Sequence, residues 1–166
     1  MCIEIAKVKT DEELREVADL AAEIWHECFP GIISMEQIEY MIEKFQSYQA
    51  MKEQISCQGY SYLDVREDGK LCGYIGVKPE DDERLFLSKL YLRADKRGKG
   101  IASAMLNRVF DEARRYGKSK VYLTVNRHNY HAVDVYKKTG FIITSQTVAD
   151  IGSGFVMDDY IMEYRL

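Results

Sequence analysis

Apolar residues change their period several times along this chain, and each change marks an element. Residues 2–8, CIEIAKV, alternate apolar and polar, the period-two pattern of a strand with one face buried. Thr10 with Glu13 three positions on forms a capping box. Leu14, Val17, Ala18, Ala21, Trp25 and Cys28 then recur at helical spacing until Pro30-Gly31 stops them. Ser34 with Gln37 repeats the capping signal, and Met35, Ile38, Met41, Ile42 and Phe45 form a second stripe. YSYLDV and KLCGYIGV, joined at Asp68-Gly69, predict a hairpin. RLFLSKLYL is almost continuously apolar, which predicts a central strand covered on both faces.

The second half is as regular. Ala102, Met105, Leu106, Val109, Phe110 and Ala113 line one face of a helix that Gly117 ends. KVYLTV is another buried strand, and residues 126–139 hold a short helix closed by Gly140. FIITSQTVA and FVMDDYIMEYRL flank Ile151-Gly152-Ser153-Gly154 and predict a closing hairpin. The order is β-α-α-β-β-β-α-β-α-β-β. It predicts an α/β (α+β) fold: a central mixed, mostly antiparallel, twisted sheet of about six to seven strands with helices on both faces. A length of 166 residues predicts one domain over 1–166.

Composition narrows the class. No apolar run is long enough to cross a bilayer, and residues 1–20 carry acids without the apolar core of a signal peptide. Cys2, Cys28, Cys57 and Cys72 stand far apart with no CxxC pair, so they read as reduced, buried thiols of a cytoplasmic protein. His128 and His131 stand three apart without a fixed third ligand, a poor zinc site, and no metal is expected. The net charge of −4 is unevenly spread. Residues 1–83 carry 8 Lys+Arg against 19 Asp+Glu, whereas residues 84–120 carry 11 against 3. A local positive field in an acidic chain points to a small bound anion and leaves acidic surface for a cation. A nucleic-acid surface would make the whole domain basic, so neither nucleic acid nor membrane is expected as a partner.

The basic block contains Arg97-Gly98-Lys99-Gly100-Ile101-Ala102 just before the amphipathic helix. Glycines at 98 and 100 let backbone approach a ligand, the helix N-terminus offers free N–H groups, and two cations add whole charges. The P-loop spacing is absent. The dinucleotide fingerprint fails at Ser103 and at Val125-Asn126, where an acid should hold a ribose. Arg97 to Ala102 instead match Arg/Gln-x-x-Gly-x-Gly/Ala, and with LYLRADKRGKGIASAML and VYLTVNRHNYHAVDVYKKTGF the chain resembles the GNAT acyl-CoA N-acyltransferases. The resemblance is strongest over residues 85–141, about a third of the chain.

That resemblance implies acetyl-CoA as co-substrate and direct acetyl transfer to an amine. It implies that Arg97, Gly98, Lys99, Gly100, Ile101 and Ala102 hold the diphosphate, and that backbone at Leu90, Tyr91 and Leu92 meets the pantetheine arm where two strands splay. The N–H of Leu90 then polarises the acetyl carbonyl. Asn126 and Asn129 face the coenzyme, Tyr136 protonates the departing thiolate, and Lys138 reaches toward its phosphates. The N-terminal helices and closing hairpin are similar to the bacterial polyamine N-acetyltransferase branch. Trp25, Phe29, Tyr60 and Phe155 then pack an alkyl chain, and Glu27, Asp158 and Asp159 hold ammonium groups. A base must remove a proton from the acceptor ammonium, and Glu27, Glu36, Asp158 and Asp159 are the candidates. Protein N-termini, lysines, aminoglycosides and amino acids remain open as acceptors, as does a non-catalytic acyl-CoA sensor. Either a monomer or a homodimer is compatible with the sequence.

Overall fold

The computed structural model describes residues 1–166. Seven strands form one sheet: β1 (Ile3–Lys7), β2 (Ser61–Glu67), β3 (Lys70–Pro79), β4 (Arg84–Leu92), β5 (Lys120–Asn126), β6 (Ile142–Gly152) and β7 (Phe155–Arg165). Their spatial order is β1-β2-β3-β4-β5-β7-β6. Every neighbouring pair is antiparallel except β4 with β5. Asp68 and Gly69, both at positive φ (50° and 82°), make the tight turn between β2 and β3. The fold class expected from the sequence is the one observed.

Helix α1 (Asp11–Cys28) starts at Thr10, whose hydroxyl accepts from the Glu13 amide at 3.1 Å, while the Glu13 carboxylate accepts from the Lys9 amide at 3.1 Å. Helix α2 (Met35–Met41) starts at Ser34, whose hydroxyl accepts from the Gln37 amide at 3.1 Å, and runs into a π-helical turn, Ile42–Gln46. Helix α3 (Tyr48–Cys57) was not predicted and adds a third helix to the first half of the chain. These elements cover one sheet face with Val17, Ile24, Trp25, Ile38 and Met51.

Helix α4 (Ile101–Arg115) and helix α5 (Tyr130–Thr139) lie on the opposite face. There Met105, Leu106, Val109, Phe110 and Ala113 of α4 pack with Leu85, Leu87, Val121 and Leu123 of the central strands. Burial of this stripe fixes α4 over β4 and β5 and thereby positions its N-terminus. Of the four cysteines, Cys72 is buried and Cys28 half-buried, but Cys2 and Cys57 are exposed, contrary to the expectation of four buried thiols. Cys2 precedes the first strand and Cys57 ends α3, so neither faces the core. No helix is long and apolar enough to cross a membrane.

Candidate active site

The site begins where two strands part. β4 and β5 pair only at Arg84–Lys120, Leu85–Val121 and Phe86–Tyr122, and beyond Phe86 they diverge. At that point β4 bulges. Gly76 of β3 pairs with Lys89 but Val77 pairs with Leu87, so Ser88 is the extra residue. The bulge resets side-chain parity. Leu85, Leu87, Leu90 and Leu92 join the core under α4, while Ser88, Lys89 and Tyr91 all turn toward α1 and α3.

The register also decides which backbone groups are free. Arg93 donates to the carbonyl of Cys72 at 2.9 Å, and antiparallel pairs alternate between bonded and non-bonded. Tyr91 and Lys89 therefore bond to β3, and the amides of Leu90 and Leu92 point toward the gap. This corrects the expectation for Tyr91: its backbone is spent in the β3 ladder, and its ring, not its amide, enters the site.

The gap opens into a cavity of about 460 Å³. Leu90, Leu92, Arg97, Ala102, Asn129 and Tyr136 line it from the α4 and α5 side, and Trp25, Phe29, Tyr60, Tyr91, Asn126 and Asp159 from the other. Of the sequence-predicted residues, Gly98, Lys99, Gly100 and Ile101 form the turn into α4 between Arg97 and Ala102 and do not line the cavity, and the Ile101 side chain is buried in the core.

That turn has the form of an anion cradle. Gly98 and Gly100 sit at φ 78° and 83°, a region that favours glycine, and a Cβ on either would meet no atom within 4 Å. The open side is therefore backbone facing free space. The first intrahelical bond of α4 is Ala104 to Gly100 at 3.2 Å, which leaves the amides of Ile101, Ala102 and Ser103 without helical partners. Lys96 and Lys99 lie 3.3 and 3.9 Å from the Glu67 carboxylate, and Arg97 lies 3.1 Å from the Cys28 sulfur. These groups fit a diphosphate: a helix N-terminus, glycine backbone and movable cations.

Helix α5 brings in the phenol. Asn129 caps it by accepting from the Ala132 amide at 3.3 Å, and Asn126 accepts from the His128 amide at 2.9 Å. Both side-chain oxygens are thus occupied, and each amide nitrogen is left to donate. Tyr136, two turns beyond Asn129, packs edge-on against Phe141 with ring centroids 5.5 Å apart. Burial raises its pKa above the ordinary phenol value, so it is a protonated donor at neutral pH. Lys138 is outside the main cavity. It pairs with Asp134 at 2.9 Å beside a second, smaller groove between α4 and α5.

The opposite wall is mostly apolar. Trp25 stacks on Phe29 at 4.1 Å, and Tyr91 closes on both at 5.6 and 6.3 Å. Gln37 of α2 donates to the Val156 carbonyl at 2.9 Å and ties the helix to the β6–β7 hairpin. Phe155 packs on Tyr40 at 5.2 Å in that hairpin, outside the cavity lining. Tyr60 lines the cavity, with its hydroxyl 3.0 Å from that of Ser88.

The acidic candidates separate sharply. Glu27 is exposed and accepts from the Ala94 amide at 2.8 Å. Glu36 is exposed in the first turn of α2. Asp158 pairs with Arg127 at 2.9 Å. None of these three lines the cavity, whereas Asp159 is the only carboxylate that does. Asp159 is 5% exposed, and its Oδ1 has no hydrogen-bond partner. Burial first, and the Asp158 charge second, raise its pKa to about 6.

Among the polar wall residues that were not anticipated, Lys89 is the most deeply buried cation. Lys89 is 4% exposed and donates to the Phe45 carbonyl, the Gln54 side chain and the Tyr62 hydroxyl. Burial pushes its pKa down to about 7. In the sequence it is one cation in an apolar strand. Nothing there shows that the bulge turns it away from solvent.

The chain matches the acetyltransferase (GNAT) family over residues 18–141. It belongs to that family and is an N-acetyltransferase. An uncharacterized N-acetyltransferase of Mycobacterium tuberculosis is 31% identical over 151 residues, covering 91% of this chain and 96% of the relative. The spermidine N(1)-acetyltransferase of Thermoplasma acidophilum is 29% identical over 162 residues, covering 95% and 97%. Among solved structures, the PaiA N-acetyltransferase of Thermoplasma acidophilum in complex with coenzyme A superposes over the whole of both chains, with a TM-score of 0.82 and 27% identity.

Proposed function

We propose that the protein transfers the acetyl group of acetyl-CoA directly to a primary amine in a ternary complex, and that the acceptor is a small polycation of the spermidine class. One observation carries the first part. Arg97 and Ala102, which flank the glycine turn, line one continuous cavity with Leu90 and Leu92, whose amides are free of the β3 ladder, and the buried Tyr136. The turn and the α4 N-terminus hold the diphosphate. The free edge of β4 bonds the amide-bearing arm as a further strand would. Asn129 and Asn126 donate to the same arm.

The thioester then lies between the β4 edge and α5. The amide of Leu90 donates to the carbonyl oxygen as negative charge develops on it. Nitrogen attacks the carbonyl carbon, the C–S bond breaks, and Tyr136 gives its proton to the thiolate. The acceptor enters from the Trp25, Phe29 and Tyr60 side. The spermidine-class assignment is supported by the full-length Thermoplasma acidophilum relative and by Asp159 at the acceptor wall.

A second reading is favoured by Lys89. With one carboxylate and one buried lysine on the acceptor side, the cavity also suits an amine whose remaining body is apolar. Thiol release from acetyl-CoA, measured with spermidine, spermine, amino acids, aminoglycosides and lysine peptides, tests both. Turnover with spermidine or spermine supports the first reading. Turnover confined to an amine with an apolar body supports the second.

A further inference from the structure

Direct transfer needs a neutral amine, and an alkyl amine is cationic at neutral pH. Some group must take the first proton. The four acidic candidates of the sequence are reduced to one by position, because Glu27, Glu36 and Asp158 lie off the cavity wall.

We propose that Asp159 is the catalytic base: its carboxylate receives the acceptor ammonium and removes the proton that allows attack. The inference rests on the acetyl-transfer reading above. Asp159 sits on β7 opposite Asn126 of β5 and Thr147 of β6, and all three residues line the cavity. Its buried Oδ1 is unpartnered, a costly arrangement that an entering ammonium would relieve. No Lys, Arg or His forms an ion pair with it. Arg127, just past the end of β5, is held by Asp158. Asp158 on its own strand and Tyr91 on β4 act on it electrostatically. Tyr136 of α5 and Cys28 of α1 line the same cavity as Tyr91. The cationic side chains of the same cavity, Lys89, Arg97 and His131, make no ion pair with Asp159: Lys89 is held by Phe45, Gln54 and Tyr62, and Arg97 by Cys28.

The protons balance. Asp159 takes one proton from R–NH3+ and becomes a neutral acid. The neutral nitrogen attacks, Tyr136 protonates the leaving sulfur, and the nitrogen loses its second proton as the amide forms. That second proton restores Tyr136, and Asp159 returns its own to solvent. The net products are the N-acetyl amine, CoA thiol and one proton.

The elevated pKa suits the task, since the group is ionised above pH 6 yet more basic than a surface aspartate. The test is the pH profile of thiol release for wild type, Asp159→Asn and Asp159→Glu, with CoA affinity measured by titration for each. Wild type should show an acid limb in kcat/KM near pH 6. Asp159→Asn should lose about 10²-fold or more in kcat at pH 7 with CoA affinity unchanged. The deficit should narrow as pH approaches the acceptor's own pKa, about 10. Asp159→Glu should recover part of the rate. An Asp159→Asn variant that keeps kcat and only raises KM overturns the proposal, as does a wild-type profile without the acid limb. A wild type inactive with every amine contradicts the acetyl-transfer reading itself. That result is distinct from an active wild type indifferent to Asp159.

Discussion

The ammonium of Lys89 lies 3.0 Å from the side-chain oxygen of Gln54, inside the protein and without a carboxylate beside it. The same Gln54 donates to the Phe45 carbonyl at 3.2 Å, so the β4 bulge, the π-helical turn and α3 share one buried polar network. Gly76 opposite leaves room for the lysine stem, where a Cβ would approach it to 3.3 Å.

Lys89 gives a pH dependence of stability. Its pKa is about 7 in the fold and 10.5 in the free side chain. Between those values the unfolded chain binds more protons, so this group makes stability rise with pH from about 7 and level off near 10.5. Below 7 both states are protonated and the full cost of burying the charge is present. Urea unfolding midpoints at pH 7 and 9 should therefore rise in wild type, and the rise should be smaller in Lys89→Met. Equal increments in the two proteins would contradict the buried charge.

Asp159 acts in the opposite sense in a lower window. Its folded pKa of about 6 exceeds the ordinary 3.8, so the fold binds more protons between them. Its contribution favours folding below pH 3.8 and is lost as pH rises through 6. Asp159→Asn should unfold at higher urea than wild type at pH 7, which also marks the residue as kept at a cost to stability. A variant less stable than wild type at that pH would argue that Asp159 has a structural partner.

Tyr136→Phe keeps the ring packing on Phe141 and removes only the proton. The expected loss is about 10²-fold or more in kcat with CoA affinity unchanged. Steady-state thiol release and calorimetric titration separate the two effects. An unchanged kcat would remove Tyr136 from the chemistry.

Gly100→Glu places a side chain and a negative charge on the open side of the turn, at φ 83°. CoA binding should fall below detection, while α4, whose packing is carried by Met105 through Ala113, stays folded by circular dichroism. Normal CoA affinity in the folded variant would show that the turn is not the diphosphate site.

Much of the fold was legible because its elements carry strong local signals. Thr10-Glu13 and Ser34-Gln37 formed the expected caps, and the stripe from Met105 to Ala113 packs as its spacing requires. Helix α3 escaped notice because its inward face carries Gln54 beside Met51, and a buried polar residue breaks the apolar period. Its cap, Ser47, has alanine at the third position, not the Glu or Gln of a capping box. In the candidate site, the left-handed turn was legible because that backbone conformation writes itself as glycine, at 98 and 100. The site was illegible where tertiary placement decides, because Asp158 and Asp159 are adjacent in sequence and only strand alternation sends one to Arg127 and the other into the cavity. The extra residue in β4 likewise leaves no local mark, although it turns Ser88 and Lys89 onto the same face.

A crystal structure of the protein with coenzyme A tests the central claim most directly. The diphosphate should rest on the turn from Gly98 to Gly100 and the amides that open α4. The arm should lie along the free edge of β4, with its sulfur within hydrogen-bonding reach of the Tyr136 hydroxyl. Coenzyme bound elsewhere, or with its sulfur far from that phenol, would contradict the account.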